Sequence, residues 1–194
     1  MTQLILKAYE ERKALWEHLP ESGYLDALDK ATQMIVSALQ IGNKVLIAGN
    51  GGSAADAQHF AAELVGRFQM ERRALPAIAL TVDTSILTSV ANDYTFDSVF
   101  SRQVEALGQP GDVFVGISTS GTSSNVTKAV LASREKGMHV IGMCGDKKNG
   151  GDLADLSDVL LMVPEARTAL VQEIHEFSFH TICDLVEKYF FCED

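Results

Sequence analysis

The chain has 194 residues, of which 46% are apolar and 22% charged, with a net charge of −10. That is the composition of an ordinary globular protein, long enough to bury about 70% of the surface its unfolded form exposes and to fold without staples. The acidic balance excludes the wrapping of DNA or RNA, whose affinity comes from basic side chains neutralising phosphates, and also an anionic membrane surface, but it leaves room for a small phosphorylated ligand.

Two helices are expected first. Residues 2–19 are polar, with apolar positions at Leu4, Ile5, Tyr9, Leu15, Trp16 and Leu19, until Pro20–Gly23 breaks the pattern. From Tyr24 to Ile41 the apolar set Leu25, Leu28, Thr32, Ile35 and Leu39 forms a narrow stripe. Such a stripe seeks a partner helix, either residues 4–19 or the same helix of another subunit.

After Gly42 short apolar runs alternate with helical stretches. Lys44–Ala48 reads as a buried strand and Ala54–Phe68 as a helix, with Gly49-Asn50-Gly51-Gly52-Ser53 between them. Glycines let backbone approach a ligand closely, and the helix start beyond them aims free N–H groups at an anion. Gly49, Gly51 and Ala54 also fit the dinucleotide fingerprint G-x-G-x-x-G/A, which needs an acidic ribose partner about 20 residues on. The nearest candidate, Asp83, lies 34 residues from Gly49, so a nicotinamide cofactor is not expected. On the helix, His59 and Glu63 are four apart and share one face. Such a pair can be two metal ligands, a base with its orienter, or a structural pair.

The Glu71-Arg72-Arg73 run reads as solvated, although either arginine has the reach to meet an anion. Ala77–Val82 is a second strand. Asn92 and Asp93 follow it, before a helix from about Phe96, which Asp93 can cap unless it takes sugar hydroxyls. A third strand, Asp112–Ile117, leads into Ser118-Thr119-Ser120-Gly121-Thr122-Ser123-Ser124, six hydroxyls in seven residues. One hydroxyl caps a helix; six at the start of the helix Val126–Lys136 point to a phosphate monoester. Gly137 closes that helix. Met138–Cys144 and Asp158–Val163 complete five strands, and Pro164 opens a final helix to about Phe191 that carries Gln172, His175, Glu176 and His180. Gln172 and His180 are separated by about 12 Å along that helix, too far for both to meet one ion without distortion or a site shared between subunits. His18 and His139 lack polar company and carry no assigned role.

Strands that are apolar on both faces and separated by helices predict an α/β fold, a doubly wound parallel sheet covered on both sides, in one domain over residues 1–194: a helical pair over 1–41 and an α/β core over 42–194. No stretch approaches the ~18 apolar residues of a membrane span. The start, MTQLILKAYEERK, has a three-residue apolar run and no secretory pattern, and Cys144, Cys183 and Cys192 form no C-x-x-C. A cytoplasmic protein with reduced thiols is the expectation.

Four segments, GNGGSAADAQHFAAELVGRF, TSVANDYTFDSVFSRQVEALG, GISTSGTSSNV and QEIHEFSFH, resemble, in this order, the bacterial phosphoheptose isomerases of the sugar-isomerase (SIS) class. The resemblance runs from about Lys44 to the last helix. It implies a five-stranded parallel sheet in flavodoxin-like order, a homotetramer with active sites between subunits, and isomerisation of sedoheptulose 7-phosphate to D-glycero-D-manno-heptose 7-phosphate for surface polysaccharide. It assigns one Zn²⁺ per subunit to His59, Glu63, Gln172 and His180, with Glu63 and His180 as the acid–base pair. Substrate contacts fall on Asn50, Gly51, Gly52, Ser53, Glu63, Asn92, Asp93, Ser118, Thr119, Ser120, Ser123 and Gln172. The family usually reads T-A-R-I-Q where this chain has Thr168-Ala169-Leu170-Val171-Gln172, which removes a cation but no catalytic candidate. The competing reading is a non-catalytic SIS protein that binds a replication initiator; that relative lacks the acid and the histidine that stand here at Glu63 and His180.

Overall fold

The computed structural model describes residues 1–192. Helices α1 (Thr2–His18) and α2 (Tyr24–Gln40) precede an alternation of β1 (Val45–Gly49), α3 (Gly52–Val65), β2 (Ala77–Ala79), α4 (Thr84–Asp93), α5 (Ser101–Leu107), β3 (Val113–Ile117), α6 (Ser124–Glu135), β4 (His139–Gly145), α7 (Gly151–Leu156), β5 (Val159–Val163) and α8 (Thr168–Phe191). The five strands are all parallel, in the order β2-β1-β3-β4-β5, as the resemblance implies.

Because successive strand residues point to opposite faces, the sheet feeds two cores. Val45, Ile47, Val113, Val115, Ile141 and Leu161 pack with α2, α3 and α8 on one face. Leu46, Ala48, Phe114, Val140 and Cys144 pack with α5, α6 and α7 on the other. Helix α6 ends as its sequence predicts: Gly137 takes φ +71°, and the N–H groups of Gly137 and Met138 return to the carbonyls of Arg134 and Ser133, the paired bonds of a Schellman motif.

Several expectations need correction. The stripe of α2 packs on α8 and β5, burying Leu28, Thr32, Ile35 and Leu39 and leaving Leu25 exposed; α1 is not its partner. Helix α1 buries only Leu15 and leans on α8 through an edge-on Trp16–Phe177 contact at 4.9 Å and an Arg12–Glu173 ion pair at 2.7 Å. Helix α4 occupies a stretch between the second strand and Phe96 to which the sequence pattern assigns no element, and Asp83, too distant along the chain for a ribose partner, caps it by accepting the Ile86 N–H at 2.9 Å. Asp93 therefore ends a helix; it does not begin one. Finally, α8 starts at Thr168 and not at Pro164, because the Glu165 carboxylate accepts the N–H groups of Ala166 and Arg167 and holds a turn there. Leu170 is buried in the core, a place that suits an apolar side chain.

Candidate active site

Strand order reverses between β1 and β3, whose carboxyl ends open the crevice where ligands of such sheets bind. Both loops singled out in the sequence stand there. They are tied by a reciprocal amide pair: Asn50 Nδ2 donates to Asn125 Oδ1, and Asn125 Nδ2 donates to Asn50 Oδ1, both at 2.8 Å. Asn125, buried in the first turn of α6, carried no sequence signal apart from its place beside the serines.

The hydroxyl loop is not an over-provided helix cap. Ser123 occupies the N-cap position of α6 and makes no side-chain cap. The hydroxyls instead bond one another, Ser118 to Ser123 at 2.8 Å and Ser120 to Thr122 at 3.1 Å, around a helix start whose first N–H groups have no partner within the helix. The Thr119 carbonyl accepts the Gly145 N–H. Gly121 shapes the loop: φ is +71°, and a methyl group there would collide with the Gly150 carbonyl.

The second assembly lies between α3 and α8. His59 Nε2 is 3.0 Å from Glu63 Oε1 and 3.3 Å from His180 Nε2, and the three ligand atoms all fall within 4.8 Å of one another. Helical spacing brings His59 and Glu63 together; packing of α3 on α8, including stacked Phe60 and Phe179 rings at 5.5 Å, brings in His180. The donor set fits a divalent cation of the zinc type. Two nitrogens bound to one tetrahedral ion at about 2.0–2.1 Å lie about 3.3 Å apart, the separation found here. A single shared proton is a poor substitute for a cation among two imidazole nitrogens and a carboxylate.

Gln172 stands apart from this trio. Its amide fills the space beside Gly52, where a methyl group would strike it. Since α3 and α8 run side by side in one direction, Gln172 sits at the start of α3 and His180 about two turns further on, as their spacing requires. Asn92 and Asp93 are also separate: Asn92 Nδ2 donates to Asp93 Oδ1 at 2.8 Å on the exposed last turn of α4, a helix that buries none of its residues. Gly51 and Ser53 flank the start of α3, with Ser53 buried.

Two further residues escaped the sequence reading. Asp56, one turn before His59, has a buried Oδ2 with no hydrogen-bond partner; burial and the nearby Glu176 push its carboxyl up to about 6 against the pull of His59. An acid three residues before a histidine is the faint signal that could have found it. Arg72, read as solvated, is buried in an ion pair with Glu187.

Residues 9–145 match the SIS domain family. A phosphoheptose isomerase from Synechocystis sp. is 54% identical over 89% of this chain and 88% of its own length. The chain belongs to the phosphoheptose isomerase family of SIS proteins. Solved phosphoheptose isomerases from Neisseria gonorrhoeae and Francisella tularensis superpose with TM-scores of 0.90 and 0.89. They are 44% and 37% identical to this chain, over 96% and 97% of it and 98% and 99% of their own chains.

Proposed function

We propose that this protein is an aldose–ketose isomerase interconverting D-sedoheptulose 7-phosphate and D-glycero-D-manno-heptose 7-phosphate, in supply of heptose for surface polysaccharide. The observation that carries the reading is the His59–Glu63–His180 cluster, formed within one chain of this family about two to three turns of α3 from the Gly49–Ser53 loop.

The substrate is a weak carbon acid, so isomerisation needs a placed base and charge stabilisation as the enediol forms. The Glu63 carboxylate moves the proton between C1 and C2. His180 handles the oxygen protons and ring opening. His59, Glu63, His180 and Gln172 would hold the divalent ion, which when bound polarises the substrate carbonyl. Gln172 rests against Gly52 in this chain, so its share in that set requires its side chain to turn or a second subunit to contribute. The hydroxyls of Ser118, Thr119, Ser120 and Ser123, with the start of α6, grip the phosphate and align the reacting carbons. Asn50, Gly51, Gly52, Ser53, Asn92 and Asp93 contact the sugar.

A homotetramer with shared sites is part of the proposal. Two features support it. Leu4 and Ile5 on α1 are 68% and 65% exposed, and the pocket beside Asn50 and Gly51 holds about 170 Å³ in one chain, below the ~300 Å³ at which ligand sites usually begin. Three free thiols support a cytoplasmic location, and among the described residues no helix is long and apolar enough to cross a membrane.

The test is to mix metal-analysed protein with sedoheptulose 7-phosphate and follow the aldoheptose phosphate by NMR, with chelated and zinc-restored samples in parallel. Product that disappears on chelation and returns with zinc is expected. Ligand binding without product under any metal would replace this reading with that of a sugar-phosphate-binding protein.

A further inference from the structure

The Arg72–Glu187 ion pair is almost fully buried, with side-chain exposures of 1% and 2% and an Nε–Oε1 distance of 3.1 Å. Burying two charges costs much of what their attraction returns, and an apolar pair of similar volume is often as stable. What the pair does supply is directional hydrogen bonding at one place. Glu187 accepts the N–H groups of Phe68, Gln69 and Met70 at 3.4, 2.7 and 3.1 Å. Those bonds outweigh its burial and hold its carboxyl below the usual carboxylate range. Arg72 reaches the other way, Nη2 donating to the Glu63 carbonyl at 2.7 Å and Nη1 to the Leu64 carbonyl at 2.9 Å.

These carbonyls belong to the last turn of α3, which ends at Val65, and the last carbonyls of a helix have no partner within it. Glu63, the acid of the cluster, therefore stands on the turn most prone to fray. Glu187 lies seven residues beyond His180, two turns along the same face of α8. The pair thus joins the two helices that supply the cluster, just beyond it, and Arg72 holds the peptide of one of its members directly.

We propose that the buried Arg72–Glu187 pair is a positioning device, which keeps the last turn of α3 wound and at a fixed separation from α8 so that Glu63 closes on one divalent ion together with His59 and His180. The proposal rests on the reading of that cluster as a metal site. Arg72 and Glu187 touch no reacting atom, so the test must read geometry as well as rate.

The double variant Arg72→Met/Glu187→Met removes both charges together. It is compared with the unaltered protein by metal-free Tm, zinc affinity in competition with a chromophoric chelator, the intensity of cobalt absorption bands, and kcat against KM for sedoheptulose 7-phosphate. Expected are a Tm lowered by several degrees, because the N–H groups of Phe68, Gln69 and Met70 and the carbonyls of Glu63 and Leu64 lose their partners, a zinc affinity lower by about 10–100-fold, weakened cobalt bands, and a kcat reduced about 10-fold with KM little changed. A folded variant with unaltered zinc affinity and cobalt bands overturns the proposal and leaves the pair a plain clamp. Should the double variant not fold, Arg72→Lys keeps a charge beside Glu187 but cannot span to the Glu63 and Leu64 carbonyls. A several-fold loss of zinc affinity is expected, and an unchanged affinity overturns the proposal. His180→Ala separates the two ideas: retained zinc affinity there sinks the metal-site reading itself.

Discussion

The two sides of the crevice are built differently. On the α3–α8 side the chemical groups are already in contact, His59 with Glu63 and His180, backed by stacked aromatic rings and a buried ion pair. On the α4 side, Asn92 and Asp93 bond only each other by their side chains on a helix with no fully buried residue, with Val82, Tyr94 and Phe96 exposed nearby. The groups proposed to move protons are preassembled within one chain, where small displacements cost most. Asn92 and Asp93, proposed to contact the sugar, stand on an open surface that a second subunit can complete.

The sharpest way to break this contrast is Glu63→Gln. It should lower kcat by at least about 10³-fold, on the scale of lost acid–base catalysis, while the melting temperature stays within a few degrees. Near-normal turnover would remove Glu63 from the proton-transfer role. The rigid side also has a pH signature, through His175 on α8. It is buried, and burial pushes its imidazole down to about 4, against a bond to the Cys144 carbonyl. The unfolded chain takes up a proton near 6.5 that the folded chain refuses until about 4. Stability is therefore complete above pH 6.5 and falls as the pH drops toward 4, by on the order of 3 kcal/mol. Denaturation of the metal-free protein between pH 7.5 and 4.5 should show a slope that His175→Gln flattens; an unchanged slope would count against a neutral buried imidazole.

The open side should answer in binding alone. Asp93→Asn is expected to raise KM for sedoheptulose 7-phosphate about tenfold with no change in melting temperature, since Asp93 is exposed and holds no core element. A variant that melts early but keeps its KM would reverse the two sides. The smallest effect falls to Asp56→Asn. A carboxyl pushed up to about 6 binds protons more readily folded than unfolded, so stability is lost as the pH rises from the unfolded value of about 4 through about 6 and stays reduced above it. Removing its charge should raise the Tm of the metal-free protein slightly at pH 7 and not at pH 4, as differential scanning calorimetry would reveal.

The sequence made the sheet and both loops legible because their signals are local. Lys44–Ala48 and Asp112–Ile117 are apolar on both faces, and six hydroxyls before a helix are visible without any coordinates. What escaped was set by contacts between distant positions. Helix α4 gives a weak signal because its contact with the core is slight, Leu87, Val90 and Ala91 being only partly buried against the face that packs on α5, α6 and α7. Arg72 sits in a charged run that gives no hint of Glu187, 115 residues away. The spacing of Gln172 and His180 posed a problem on one helix, and only the parallel course of α3 beside α8 shows that Gln172 faces the start of α3 and His180 its middle. His59 and His180, 121 residues apart, were linked by resemblance and not by any feature of the chain between them.

The three side chains of the α3–α8 cluster are only part-buried, and neither hydrophobic core is built on them. Losing them would cost little in folding. A duplicated copy of such a gene could shed its chemistry by a few substitutions, keep a well-folded crevice for sugar phosphates, and be selected anew as a sensor or an adaptor.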